Sequence, residues 1–278
     1  MKKLILPALI TIAAGASIAF PSKAHSQNFN KCDRTYNIGN PPKTTLAQLT
    51  DQEFAQNNQN GCSHTPEKYE IVIYEMGLCT GASSPIGGGS LDRTGCTATF
   101  TNAAGQTVDL AGSASITLDA ANATAPAPAT YAWGYMVMKN TFGLKGSLAT
   151  QSTWRTTSNS MASKTATSNA EFTETLSNFD ELPTCDADAS ANMPPLGTMT
   201  AMLTNSNLVK TSTCTDVTRL VGAFSPTTSY TITPSTTALK MTFKVTDNGM
   251  MVIPNPQAPY GVAQFGSGPF QMDITVVE

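Results

Sequence analysis

The feature that most constrains this chain is apolar alternation with a period of two. Lys68 to Cys79 reads KYEIVIYEMGLC, with Tyr69, Ile71, Ile73 and Glu75 on one side of an extended chain and Glu70, Val72, Tyr74 and Met76 on the other. A helix needs apolar residues three and four apart, so this run specifies a strand buried on at least one face. The same pattern returns at Tyr131 to Met138 (YAWGYMVM), Ala238 to Val245, Met250 to Ile253 and Phe270 to Val277. Helical signals are confined to Thr44 to Asn60, where Leu46, Leu49 and Phe54 follow possible Thr caps and precede Gly61.

Turn chemistry separates these runs. Asn102 to Gln106 is read as a turn between Thr97–Thr101 and Thr107–Leu110, with a further strand at Ala114–Leu118. Phe142–Leu148 is placed as the hairpin partner of Tyr131–Met138, and Asp247-Asn248-Gly249 as the hairpin turn before Met250. The Ala/Pro-rich stretch Ala120–Thr130 cannot enter a central strand. Residues 149–170, mostly Thr, Ser, Asn and Ala, read as a long loop or weak edge strand. The fold expected is an all-β antiparallel sandwich, of Greek-key, immunoglobulin-like or jelly-roll-like type, with long loops and one short N-terminal helix.

Residues 1–26 carry an export pattern. Met1-Lys2-Lys3 is a positive start, Leu4 to Phe20 is apolar, and Ser22-Lys23-Ala24 or Ala24-His25-Ser26 offers small residues at a cleavage site. This reads as a Sec-type signal peptide of the bacterial kind. Residues 27–66 then form a tail and short helix, and 67–278 the sandwich domain. The chain carries a net charge of −3, and the segment to be removed holds Lys2, Lys3 and Lys23, so the remainder is clearly acidic. A basic nucleic-acid binder is excluded, and no later apolar run is long enough for a transmembrane helix.

Export decides how the cysteines are read. Cys32, Cys62, Cys79, Cys96, Cys185 and Cys214 are an even set bound for an oxidising compartment, where disulfides are expected. The simplest of many pairings is sequential, each bond closing a short loop worth ~3–4 kcal/mol on the chain-entropy account. The spacings are not those of a zinc site.

The catalytic inventory is thin, and no enzyme and no cofactor are expected. Beyond the export segment the one histidine is His64, whose neighbours Ser63 and Thr65 form no nucleophile elbow. Gly87-Gly88-Gly89 lacks the basic residue and helix start of a phosphate loop. Asp180, Glu181, Asp186 and Asp188 around Cys185 are a weak Ca²⁺ candidate, since an EF-hand count from Asp186 meets Ala191 and Gly197 where Gly and Glu are needed. They also read as a solvated acidic loop. Tyr131, Trp133 and Tyr135 are a possible ligand stripe for sugar rings or a partner surface, although aromatics at period two also make the core side of a sandwich.

Export, disulfides and Thr-rich alternating strands are shared by many exported adhesins, pilin-like subunits and binding modules. The expectation is therefore a structural or interaction protein of the periplasm, cell surface or medium. Its partner would be another copy, a surface protein or a glycan. A carbohydrate- or small-ligand-binding module is the second reading, and a hydrolase using acidic residues the third.

Overall fold

The computed structural model describes residues 30–111, 118, 120–179, 184–193 and 197–278. The expected export segment, most of the strand expected at 114–118, and the acidic residues Asp180 and Glu181 lie outside them. Strands make up 49% of the described residues and helix 5%, which places the protein among all-β, sandwich-like folds. Among the described residues no helix is long and apolar enough to cross a membrane.

Lys68–Cys79 is the spine of an eight-stranded antiparallel sheet. One edge pairs with Cys96–Asp109, and the other with Thr141–Lys145 and then Trp133–Lys139. Beyond Trp133–Lys139 come Arg219–Pro226, Gly197–Thr204 and the edge strand Asp188–Met193. Phe172–Thr175 lies beyond Thr141–Lys145.

The spine does not keep the simple alternation of its sequence. Register against Trp133–Lys139 runs Ile73 to Met138 and then Glu75 to Val137, so Tyr74 is an extra residue. Such a bulge inverts every later side chain. Met76 and Leu78 therefore join Ile71 and Ile73 in the main core, and Glu75 passes to the outer face. Opposite Tyr74, Cys96–Asp109 makes a four-residue excursion, because Gln106 pairs with Ile73 and Thr101 with Glu75. The expected turn at 102–106 is thus an irregularity inside one long strand. Gly105 sits there at φ +82°, where a Cβ would come within 2.4 Å of Val72 Cγ1.

Smaller sheets cover the inner face. Cys62–His64, Met250–Asn255 and Gly261–Ser267 form one, and Ala238–Lys244 with Gln271–Val277 another. Tyr69 ties the layers together: it is 1% exposed, its hydroxyl donates to Gly268 O at 2.7 Å, and its ring meets Phe142 and Phe270 edge-on. Each such large buried side chain contributes roughly 1.5–3 kcal/mol of transfer free energy.

Two expected hairpins are absent. Trp133–Lys139 and Thr141–Lys145 run in line along one edge of the spine. The chain does not reverse at Asn140 because that buried side chain is held in place, its Nδ2 donating to Leu176 O at 2.9 Å and Val217 O at 3.2 Å. Nor do the strands flanking Asp247-Asn248-Gly249 pair with each other. Met250–Asn255 already has Cys62–His64 and Gly261–Ser267 on its two edges, so Ala238–Lys244 pairs with Gln271–Val277 in another sheet. The turn is an inter-sheet corner, in which Asp247 (φ 60°) accepts from Lys31 Nζ at 2.9 Å.

The 149–170 segment is more ordered than its composition suggests. Ser147–Ala149, Thr153–Thr156 and Ala162–Ser163 form a small sheet, and Trp154 Nε1 donates to Asp51 Oδ1 at 3.0 Å. The expected helix is divided into a 3-10 turn at Leu46–Gln48 and an α-helix at Asp51–Asn57, because Leu49 is extended and Thr50 caps anew with Glu53. The disulfides are sequential: Cys32–Cys62, Cys79–Cys96 and Cys185–Cys214.

Asn140→Ala should destabilise the protein by about 2–4 kcal/mol, since two interior carbonyls lose their donor. Urea unfolding of the variant checks this, and a loss below about 0.5 kcal/mol, typical of surface positions, would remove Asn140 from this role.

Candidate functional site

The outer face of the large sheet carries a second apolar cluster of Tyr135, Val137, Met202, Val221 and Ala223. Residues 80–95 cross over it as a strap. Ile86 and Leu91 anchor the strap in the cluster, and the Cys79–Cys96 bond closes its base. Its far side is tied by Leu91 N to Leu208 O at 3.2 Å and Lys210 N to Gly89 O at 2.9 Å. The glycine run Gly87-Gly88-Gly89 is therefore part of a fixed cover. The signal overlooked in the sequence is the pair of apolar residues flanking it.

The bulge at Tyr74 sets Glu75 beside this strap. Arg93 donates to both carboxylate oxygens, Nε at 2.8 Å and a terminal nitrogen at 2.6 Å, and Tyr135 OH donates to Oε1 at 2.6 Å. Burial opposes the charged carboxylate, but these bonds outweigh it and hold Glu75 below the usual carboxylate range. Burial, with the Glu75 bond, pushes the Tyr135 hydroxyl up. Above lies a cavity of ≈ 720 Å³ lined by Ser83, Ser84, Gly87, Ser90, Asp92 and Arg93 among others. Hydroxyls, backbone groups and a guanidinium suit hydrogen bonding to a polar ligand, and no aromatic ring lines it.

The aromatic stripe is divided. Ala132 N donates to Cys79 O at 2.9 Å, and the chain bends there. Tyr131 is 2% exposed in the main core and donates to Ala127 O, whereas Tyr135 is 1% exposed in the outer cluster. Trp133 is half-buried, its Nε1 donating to Ala82 O at 3.3 Å. The rings form no common platform, because a single bend sends them into different cores.

The Cys32–Cys62 bond brings Asp33 and His64 together. Asp33 Oδ2 is 2.9 Å from His64 Nδ1, but the pair is not aligned as a hydrogen bond, and the nitrogen is buried without one. Ser147 lines the same cleft of ≈ 480 Å³, yet its hydroxyl donates to Glu67 Oε1 at 3.4 Å. A nucleophile–base pair is not assembled there. Of the acidic cluster, Asp180 and Glu181 lie outside the described residues, and Asp188 is paired with Lys210 Nζ at 2.7 Å. Among the described residues no three His, Cys, Asp or Glu side chains converge as metal ligands.

The edge strand Asp188–Met193 has a defined hydrogen-bond phase. Leu203 N donates to Ala187 O, its direct opposite in the register, at 2.8 Å. In an antiparallel ladder such pairs alternate, so Ala189, Ala191 and Met193 turn their backbone groups toward Gly197–Thr204, and Asp188, Ser190 and Asn192 turn theirs outward. Asp188 N accordingly reaches Asp186 Oδ1 at 3.2 Å. No described strand pairs with this outer side.

Glu174 supplies a pH dependence. Its carboxyl is wedged between the large sheet and Gly261–Ser267 and accepts from Ser267 N. Burial pushes it above the ordinary value of 4.5, against the lowering effect of Ser267. A raised acid favours the fold when protonated, so its contribution is complete below the unfolded value and is lost as pH climbs through the native one. Glu174→Gln keeps an acceptor and removes the charge; it should stabilise the protein by about 1–2 kcal/mol at neutral pH. That gain should vanish in acid. Equal melting shifts at both pH values would show that the carboxyl's charge is not responsible.

No protein-family model, curated protein or solved structure matches this chain.

Proposed function

We propose that the protein is an exported, non-catalytic structural or interaction protein of the periplasm, cell surface or extracellular medium. It acts by presenting a sheet edge and disulfide-held loops to a partner. The observation that carries this reading is the Asp188–Met193 edge, whose outward backbone groups have no described strand beside them. Proteins that remain monomeric guard such edges with lysine, proline or bulges. This strand reads DASANM: it has no lysine, proline or bulge, and its one charge, Asp188, is paired with Lys210. Three disulfides suit an oxidising compartment, in keeping with the export pattern of residues 1–26.

A second reading, a module for a glycan or small polar ligand, draws on the hydroxyl-lined cavity formed by the strap's own residues. Cross-linking of the purified chain, run beside polysaccharide affinity columns, separates the two. The interaction reading expects cross-linked oligomers and passage through the columns. Retention on a polysaccharide without oligomers would favour the binding module, and turnover of a glycan substrate would overturn both.

A further inference from the structure

We infer that the Asp188–Met193 edge pairs antiparallel with the same strand of a second copy, joining two large sheets across a twofold axis at Ser190. This deepens the interaction reading and rests on it. Antiparallel augmentation across a sheet edge requires the axis to be perpendicular to the sheet, so directly opposed residues must lie on the same face. Only registers centred on a residue satisfy this. Centred on Ser190, each copy's outward-facing Ser190 exchanges both backbone bonds with the other, and Asn192 N–H meets the Asp188 carbonyl. Centring on Ala191 instead would set Asp188 against Pro194, which has no N–H to donate.

The charge pattern fits the same register. Asp188 falls opposite the neutral Asn192, Ala189 opposite Ala191, and no like charges face each other. The inner face beside the edge adds apolar area: Ala189, Met199 and Ala201 are half-buried, and among the described residues nothing lies within 4 Å of a Cβ placed at Gly222. Two copies would continue these residues into one seam.

The test is sedimentation of the wild-type chain and of two variants at Ser190. Its side chain is exposed and its N–H points away from its own sheet, so both variants should melt like the parent. Ser190→Pro removes the outward N–H. Ser190→Lys sets two ammonium groups against each other at the axis, and each variant should weaken the dimer by about tenfold or more. Mixing Ser190→Lys with Ser190→Glu should restore it, because residue 190 faces only its own counterpart. A wild-type chain that sediments as a monomer at every concentration overturns the pairing. Association that survives both single variants also overturns it but leaves the interaction reading standing, whereas a monomer retained on polysaccharide overturns both.

Discussion

One extra residue, Tyr74, governs how this molecule is built. The spine strand Lys68–Cys79 is paired on both edges, so a bulge within it must be accommodated by two neighbours at once. On one side the neighbour answers with the excursion at 102–105, and on the other Trp133–Lys139 shifts by a residue. The inversion sends Met76 and Leu78 inward and Glu75 outward. Without it the carboxylate would face the main core, where an unpaired charge is far too costly to bury.

Glu75 in turn organises the outer face. A carboxylate next to apolar Tyr135 and Val137 is tolerable because Arg93 and the Tyr135 hydroxyl satisfy its oxygens. Arg93 belongs to the strap, so the ion pair fastens the same segment that Ile86 and Leu91 anchor through burial and Cys79–Cys96 holds at its base. Covalent, apolar and ionic ties converge on sixteen or so residues whose composition alone suggests mobility.

The large sheet is unequal at its two ends. Toward Phe172–Thr175 the inner face is filled by Tyr69, Phe142, Phe172 and Phe265, all 3% exposed or less. Toward Asp188–Met193 the residues are small and the covering is partial, with Ala189, Ala201 and Gly222 on that face. A core that tapers toward an edge leaves backbone groups as the strongest recognition elements there. The proposed pairing rests on that asymmetry.

The sequence by itself determined the all-β class and the short capped helix, because alternation and Thr caps are local in the chain. It offered the sequential disulfides only as the simplest of many pairings, among which the folded chain decided. It also carried the C-terminal strand, whose apolar Met272 and Ile274 are buried as their period requires. Tertiary structure decided the rest. Whether 102–106 and 247–249 are hairpin turns depends on which edges distant strands have already taken, as Cys62–His64 takes one edge of Met250–Asn255. The aromatic stripe divided because Ala132 bends toward Cys79, and Glu75 changed faces because both neighbours of the spine shift register around Tyr74. Period-two patterns specify that a strand has faces; only long-range pairing fixes which face each residue occupies.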